Sequence, residues 1–395
     1  MISSTGTSSE RGTSERARLF AAILIGVIGP EVFIVQPGFV QGLVTQLGFG
    51  SQGAGYVASI EVWGITATTV LMTFFSHRFN WRIVTAVSLI AMAIANALCI
   101  GVHDHAWFVA LRFLAGAGAG GLVSLSFTTI GMTSSPDRNF GVLIACVMFY
   151  GAAMLYLMPV AYAHTAMAGP LAFFAVFPLL GLPFVKALPR NGHAEAAAAP
   201  DAINVPGRLQ LSAVVAMFVY FTAQGVVWAY LFLIGTAAGL GEQQVATGLM
   251  LSQIAGVAGA LLPAWAGHRY GHLRPLTIGI LGGAGCLLLL FGQMSYAAYA
   301  FVVCLYNLLW NLTQPFLLGA MASFDRSARL VSYAVAAQML GLAIGPALAA
   351  ATLVPGSYTN INKIGVVLFV LSWLAILPPV IARRRLSAAG RNAVA

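Results

Sequence analysis

Long apolar segments recur from one end of the chain to the other, and only short polar breaks separate them. A helix of about 20 apolar residues is long enough to cross the hydrocarbon core of a bilayer. The composition agrees, because 59% of the residues are hydrophobic and only 7% are charged, far from the usual balance of a soluble domain. The sequence therefore predicts an all-α membrane protein.

Twelve such segments can be counted, and we predict a transmembrane helix for each. They lie at 19–43, 53–76, 82–102, 106–131, 140–163, 168–187, 209–235, 245–267, 275–295, 297–321, 329–353 and 362–382. The longest polar interruption, KALPRNGHAEAAAAPDAINVPGR at 186–208, divides them into six and six and has the composition of a linker. The predicted organisation is a tail at 1–18, a first half at 19–187, a linker at 188–208, a second half at 209–382 and a tail at 383–395.

The net charge of +9 reports the topology of the chain. With the N-terminus inside, 17 of the 19 Lys and Arg residues fall in predicted cytoplasmic segments, and only Arg112 and Lys363 do not. This bias is the positive-inside rule, which indicates the orientation of membrane proteins. We therefore expect a multi-pass protein of the inner membrane with both termini in the cytoplasm. Basic charge of this origin gives no support to a nucleic-acid partner.

Two pairs of loop sequences indicate an internal duplication. SHRFNWR follows the second span and GHRYGHLR follows the eighth, while SSPDRNFG follows the fourth and SFDRSARL follows the tenth. The two loops of each pair are separated by nearly the same number of residues. This predicts two six-span halves in the same orientation, an arrangement described for one large class of transporters.

In span count, linker position and motifs, the chain resembles the major facilitator superfamily over nearly its whole length. The loops after the second and eighth spans stand where that family carries its Gly-x-x-x-Asp-Arg-x-Gly-Arg-Arg signature, although His77 and His268 replace the acid. LRFLAGAGAGG resembles the fourth-span motif of the family, here Arg112, Gly116 and Gly118. The resemblance implies twelve helices in two pseudo-symmetric six-helix halves, alternating access and a cytoplasmic gate. The implied gate residues are Arg78, Arg82, Asp137, Arg269, Arg274 and Asp325.

Three strongly ionisable side chains, Glu31, Glu61 and Arg112, lie inside predicted spans and away from their ends. At about 1.5 Å per residue, they reach nearly the same depth in a hydrocarbon core about 30 Å thick. They are therefore predicted to form a charged layer near the middle of the membrane. The family resemblance places spans 1 and 4 side by side, which makes Glu31 and Arg112 the expected pair.

Glu31 is the predicted proton carrier. Acids inside the membrane usually mark ion or proton pathways, and the flanking Pro30 and Pro37 free backbone carbonyls that only a cavity or a protein neighbour can satisfy. The alternative is a static ion pair between Glu31 and Arg112. For Glu61 the favoured interpretation is structural, as a protonated carboxyl bonded to a backbone carbonyl.

Polar and aromatic side chains of other spans predict a solute site. In the tenth span, one helical face of YNLLWNLTQP carries Asn307, Trp310, Asn311 and Gln314. In the seventh span, one face carries Gln224 and Trp228. The predicted solute-binding residues are Gln36, Arg112, Gln224, Trp228, Asn307, Trp310, Asn311 and Gln314. The alternative for such a face is helix packing, since amides hydrogen-bond across membrane helices.

These features predict a secondary transporter that takes up a small organic acid, driven by a proton gradient. Aromatic acids are among the candidate solutes. A buried arginine suits a carboxylate. The expected partners are the solute, protons and the lipid bilayer, the expected state is a monomer, and no cofactor or metal is predicted. The alternatives are proton-coupled efflux of drug-like compounds and, from another class, a membrane-embedded enzyme or sensor.

The predicted topology can be tested with introduced cysteines. Gly48→Cys and Gly239→Cys should react with an impermeant thiol reagent added to intact cells, because both positions lie in predicted external loops. Ala197→Cys, in the predicted cytoplasmic linker, should not react. Labelling of Ala197→Cys in sealed cells would contradict the six-plus-six arrangement.

Overall fold

The structure is a computed structural model that describes residues 8–102, 104–191, 202–266, 271–326, 329–354 and 356–392. Within these ranges the chain is helical apart from turns and connections, and an isolated bridge between Val354 and Ser357 is the one strand-like feature. The predicted all-α class is confirmed. A helix suits a membrane because it satisfies its backbone hydrogen bonds within one segment.

The N-terminal helices run up to residue 187. They are α1 (Ser8–Ile28), α2 (Glu31–Ile34), α3 (Gln36–Gln46), α4 (Ser51–Phe75), α5 (Trp81–Gly101), α6 (His105–Gly131), α7 (Pro136–Thr165) and α8 (Ala168–Val176). A 3₁₀ turn at Ser76–Arg78 follows α4, and a 3₁₀-helix at Phe177–Ala187 follows α8.

The C-terminal helices begin at residue 207. They are α9 (Gly207–Trp228), α10 (Leu231–Ala237), α11 (Glu242–Ala266), α12 (Leu273–Leu289), α13 (Tyr296–Phe324), α14 (Arg329–Ala351) and α15 (Thr359–Asn392).

In the described ranges, ten helices are long and apolar enough to cross a membrane. Of the predicted spans, 19–43 is divided among α1, α2 and α3, and 275–295 corresponds to α12, which has 17 residues. The division of the first span has a chemical cause. Pro30 and Pro37 each lack a backbone N–H and disfavour helical geometry in the preceding residue. The chain is thus a multi-pass membrane protein, and the count of twelve crossings stays a prediction.

Two seams join the N-terminal helices to the C-terminal helices. α4 packs along α14, and α7 packs along α11. In the first seam, the Ser59 hydroxyl donates to the Ala343 carbonyl at 2.6 Å, and the Thr66 hydroxyl donates to the Met339 carbonyl at 3.0 Å. Short hydroxyl side chains let the helices approach closely while their polar atoms stay satisfied.

Further contacts join helix ends that the charge pattern assigns to the outside. The Tyr230 hydroxyl donates to the Ser51 carbonyl at 2.9 Å, and Nε2 of Gln41 donates to Oε1 of Glu242 at 2.9 Å. Gly55 takes part in this contact, since a Cβ there would collide with the Tyr230 hydroxyl. The N-terminal and C-terminal helices are therefore packed together at this end.

The backbone at Gly48 and Gly239 affects the labelling test. Both residues have positive φ, 69° and 93°. Glycine adopts this conformation readily, whereas a residue with a side chain is strained there. Cysteine is better introduced at the exposed neighbours Gln46 and Gln244, with the same expected reactivity.

Candidate functional site

The interruption of the first span places Glu31 in the interior. Gly29 and Pro30 form a turn after α1, and α2 contains only the four residues Glu31–Ile34. Glu31 is fully buried. Residues beside a helix break have backbone groups that need other partners, and the Glu31 carbonyl accepts from the Tyr150 hydroxyl of α7 at 3.2 Å.

Arg112 of α6 forms a two-point ion pair with Glu61 of α4. Nη2 of Arg112 lies 2.7 Å from Oε1 of Glu61, and Nε lies 3.3 Å from Oε2. Both residues are buried, and the guanidinium lies over the Phe39 ring, 5.0 Å from its centroid. Removing one partner of a buried pair leaves an uncompensated charge, so the two residues depend on each other.

Asn96 of α5 connects this ion pair to Glu31. Its Oδ1 accepts from Nη1 of Arg112 at 2.5 Å, while its Nδ2 donates to the Phe174 carbonyl at 3.0 Å and to Oε1 of Glu31 at 3.3 Å. Arginine can only donate and a backbone carbonyl can only accept, so these partners fix the orientation of the amide. The second carboxyl oxygen of Glu31, Oε2, has no hydrogen-bond partner among the described residues.

The three predicted charges lie in one network, but the expected pairing of Glu31 with Arg112 is wrong. Arg112 binds Glu61, and Glu31 is linked to it through Asn96. The predicted backbone-carbonyl partner of Glu61 is replaced by this ion pair. Asn96 was not predicted as a site residue, because the uncharged polar side chains considered were those of the first, seventh and tenth spans. A lone amide in the apolar run AMAIANALCI was the available signal.

The glycine motif after Arg112 explains why Arg112 pairs with Glu61. A Cβ on Gly116 would collide with the Glu61 carbonyl, and one on Gly120 would collide with the Ile65 carbonyl. Gly64 of α4 is equally close to the backbone of α6. The two helices therefore touch backbone to backbone, and the side chains of Arg112 and Glu61 lie beside this contact. These glycines allow close helix packing.

A second polar group lies between α11 and α13. Nδ2 of Asn307 donates to Oε1 of Gln253 at 2.7 Å and to the Ser252 hydroxyl at 3.3 Å. Nδ2 of Asn311 donates to Oδ1 of Asn307 at 2.7 Å. Gln253 and Ser252 were not predicted as site residues. Both lie on α11, where LSQIAG carries the only signal, two adjacent polar residues in an apolar run.

Aromatic side chains connect α9 and α13 to the break in the first span. Nε1 of Trp228 donates to the Phe33 carbonyl of α2 at 3.0 Å. Trp228 and Trp310 meet edge to face, with ring centroids 5.7 Å apart. Tyr306 donates to Oε1 of Gln224 and lies 6.4 Å from the Trp310 ring. Trp228 therefore links the predicted solute face of the C-terminal helices to the segment that carries Glu31.

The other predicted solute-binding residues differ in their surroundings. Gln36 is buried, and its Oε1 has no hydrogen-bond partner among the described residues. Gln314 is half-buried. Arg112 is enclosed by Glu61, Asn96 and Phe39 in this conformation. A direct contact between Arg112 and solute stays a prediction, and it requires a rearrangement of these partners.

Arginines hold both described ends of the linker. Nε of Arg82 donates to the Leu188 carbonyl at 2.7 Å, and Nε of Arg326 donates to the Ala202 carbonyl at 3.0 Å. Arg82 belongs to the predicted gate motif. In this conformation its observed partner is the linker backbone.

The remaining predicted gate residues are dispersed in this conformation. Arg78 lies over the neighbouring Phe75 ring, 5.4 Å from its centroid, and Oδ2 of Asp325 accepts from the Leu330 N–H at 3.2 Å. Arg274 is exposed. Arg269 and the side chain of Asp137 lie outside the described residues. The gate itself stays a prediction.

Comparison with known proteins identifies relatives of the chain. The family model described as the Major Facilitator Superfamily matches residues 21–346. A protein of Corynebacterium glutamicum named gentisate transporter is 27% identical over 379 residues, which cover 88% of this chain and 84% of that protein.

We expect Gly116→Ala to destabilise the protein by about 1–3 kcal/mol, because the added methyl forces α4 and α6 apart. The control is Gly285→Ala in α12, where a Cβ would meet open space. It should be neutral or slightly stabilising. The measurement is thermal unfolding of the purified variants, and equal melting temperatures for the two would contradict the close contact.

We expect Glu61→Gln to lower the melting temperature and yield strongly, because it leaves Arg112 buried and unpaired, at about 3–5 kcal/mol. The double variant Glu61→Gln with Arg112→Gln removes both charges and should recover part of the loss. Glu31→Gln should keep parental stability, since the Asn96 hydrogen bond is retained. Equal destabilisation by Glu31→Gln would show that the two acids have similar structural roles.

Proposed function

Because the chain belongs to the Major Facilitator Superfamily, we propose that this transporter moves a small organic acid across the inner membrane together with protons. The family places it among transporters rather than enzymes. Within that class, solute, coupling ion and direction are our proposal, and uptake of an aromatic acid is the activity we assign.

The observation that carries the proposal is the state of Glu31. It is fully buried at a helix break, accepts one side-chain hydrogen bond, and has a second oxygen without a partner among the described residues. Burial favours the neutral form of a carboxyl that has no cation in direct contact. Glu31 therefore has both a buried position and a carboxyl oxygen without a hydrogen-bond partner among the described residues, as a group that takes up and releases a proton requires.

Asn96 supplies the proposed link between protonation of Glu31 and the packing of α6 against α4. It bonds Glu31 and Arg112 at the same time, so a change at either residue alters the contacts of the other. When Glu31 loses its proton, the negative charge is stabilised if the guanidinium turns towards it. That movement weakens the pair with Glu61, which anchors α6 to α4.

An aromatic acid suits the groups around α2. Trp228, Trp310 and Tyr306 offer ring surfaces in contact with one another, and Trp228 reaches the Phe33 carbonyl. Aromatic rings pack well in offset or edge-to-face arrangements. The relative named gentisate transporter supports this solute class, since gentisate is a dihydroxylated benzoate.

The seams suggest how access alternates. In our proposal, twelve helices form two halves that rock about the contacts of α4 with α14 and of α7 with α11. The present conformation would then be closed to the outside through Tyr230, Ser51, Gln41 and Glu242. Opening this end breaks a few hydrogen bonds and leaves the long seams to act as hinges.

We expect Glu31→Gln to abolish accumulation of gentisate driven by a pH gradient in proteoliposomes, because glutamine cannot exchange a proton. Exchange of labelled for unlabelled gentisate at equal pH should survive in part, since it needs no net proton movement. Asp104→Asn, which alters an exposed acid while keeping an acceptor for the Trp107 N–H, should accumulate gentisate like the parent.

Two results would count against the proposal. Full uphill accumulation by Glu31→Gln would remove Glu31 from coupling. Failure of the parent to accumulate gentisate, benzoate or 4-hydroxybenzoate under a pH gradient would reject proton-coupled uptake of aromatic acids.

A further inference from the structure

A directed chain of amide side chains in α13 and α11 ends in an unused donor. Asn311 donates through Nδ2 to Oδ1 of Asn307 at 2.7 Å, and Asn307 donates through Nδ2 to Oε1 of Gln253 at 2.7 Å. The last group of the chain, Nε2 of Gln253, has no hydrogen-bond partner among the described residues.

A backbone carbonyl fixes the direction of this chain. Nδ2 of Asn311 also donates to the main-chain carbonyl of Asn307 at 2.9 Å. Because that carbonyl can only accept, the nitrogen of Asn311 must lie there. Oδ1 of Asn307 must then face Asn311, and its Nδ2 must face Gln253. The chain therefore presents an N–H donor at Gln253 rather than an oxygen.

The free donor lies where the N-terminal and C-terminal helices meet. Gln253 is 2% exposed. A Cβ on Gly151 of α7 would collide with Nε2 of Gln253 and would crowd Ile34, the last residue of α2. Because Gly151 has no side chain, the amide of Gln253 approaches the segment that begins with Glu31.

An anion is the acceptor that suits this donor best. A buried donor without an acceptor is unfavourable, so a ligand that supplies one gains binding free energy. Aligned hydrogen bonds polarise one another, which strengthens the terminal N–H. Hydrogen bonds to a carboxylate are stronger than those to a neutral oxygen. Arg112, the other candidate donor, is already bound by Glu61 and Asn96.

We propose that Nε2 of Gln253 donates to the carboxylate of the transported organic acid. Asn307 and Asn311 are then positioning residues that orient the Gln253 amide, rather than the direct solute contacts expected from sequence. The inference rests on the proposed function, because it takes an organic acid as the solute.

The test measures the Kd of gentisate for the purified protein by calorimetry. Gln253→Met keeps length and volume but removes the donor, and it should weaken binding about tenfold or more. Gln253→Glu keeps an acceptor for Asn307 and turns a carboxyl towards the solute, so it should weaken binding further. The control is Thr247→Ala on the same helix, a half-buried position whose hydroxyl donates to the Gln243 carbonyl one turn earlier. It should bind gentisate like the parent.

The positioning role has a separate readout. Asn307→Leu should weaken gentisate binding, because the Gln253 amide loses the bond that orients it. Combined with Gln253→Met, it should weaken binding no more than Gln253→Met alone, since both act through one hydrogen bond. Additive losses would assign Asn307 its own contact with the solute and overturn the positioning role.

Three outcomes would overturn the inference. Parental Kd values in both Gln253 variants would show that its amide does not contact the acid. Loss of folded protein in both variants would assign Gln253 to helix packing. If the parent itself bound none of gentisate, benzoate and 4-hydroxybenzoate, the proposed function would fall and the inference with it, so the two failures are distinguishable.

Discussion

The ion pair between Arg112 and Glu61 depends on a backbone-to-backbone contact between α4 and α6. Glycines at 64, 116 and 120 let α4 and α6 meet backbone to backbone, and a side chain at any of them would separate the two helices. A buried arginine requires a partner in hydrogen-bonding contact, and the geometry of this contact selects Glu61 as that partner. The pairing leaves Glu31 without a cation in direct contact, and this is why we propose Glu31 as the proton carrier.

The short helix α2 is the second organising element. Tyr150 of α7 binds the Glu31 carbonyl, Trp228 of α9 binds the Phe33 carbonyl, and Gln253 of α11 lies near Ile34. Helices from both ends of the chain thus converge on four residues. They do so because a helix break exposes backbone acceptors that an unbroken helix would satisfy internally. Breaks of this kind mark binding sites in transporters whose halves are related by repeats.

The local chemistry of the sequence predicted much of this site. A carboxylate between two prolines in an apolar run predicted a buried acid beside backbone carbonyls that need partners, and the family resemblance singled out Arg112 and the glycines that follow it. Amides and aromatic residues at helical spacing in the tenth span predicted a polar face, which α13 carries. The partner of Arg112, the bridging role of Asn96 and the place of Gln253 in the amide chain did not follow from sequence.

The sequence by itself determined that this chain is a helical membrane protein, that the prolines beside Glu31 leave backbone carbonyls in need of partners, and that three charges lie at similar depth. These properties depend on hydropathy, on proline stereochemistry and on the rise of a helix, all of which are local. Only the tertiary structure decided which charged side chains touch and which buried polar atoms lack a hydrogen-bond partner among the described residues. Those outcomes depend on which helix faces meet and how closely. Gly116, for example, lets α6 approach the backbone of α4, and this approach places Arg112 beside Glu61 of the other helix.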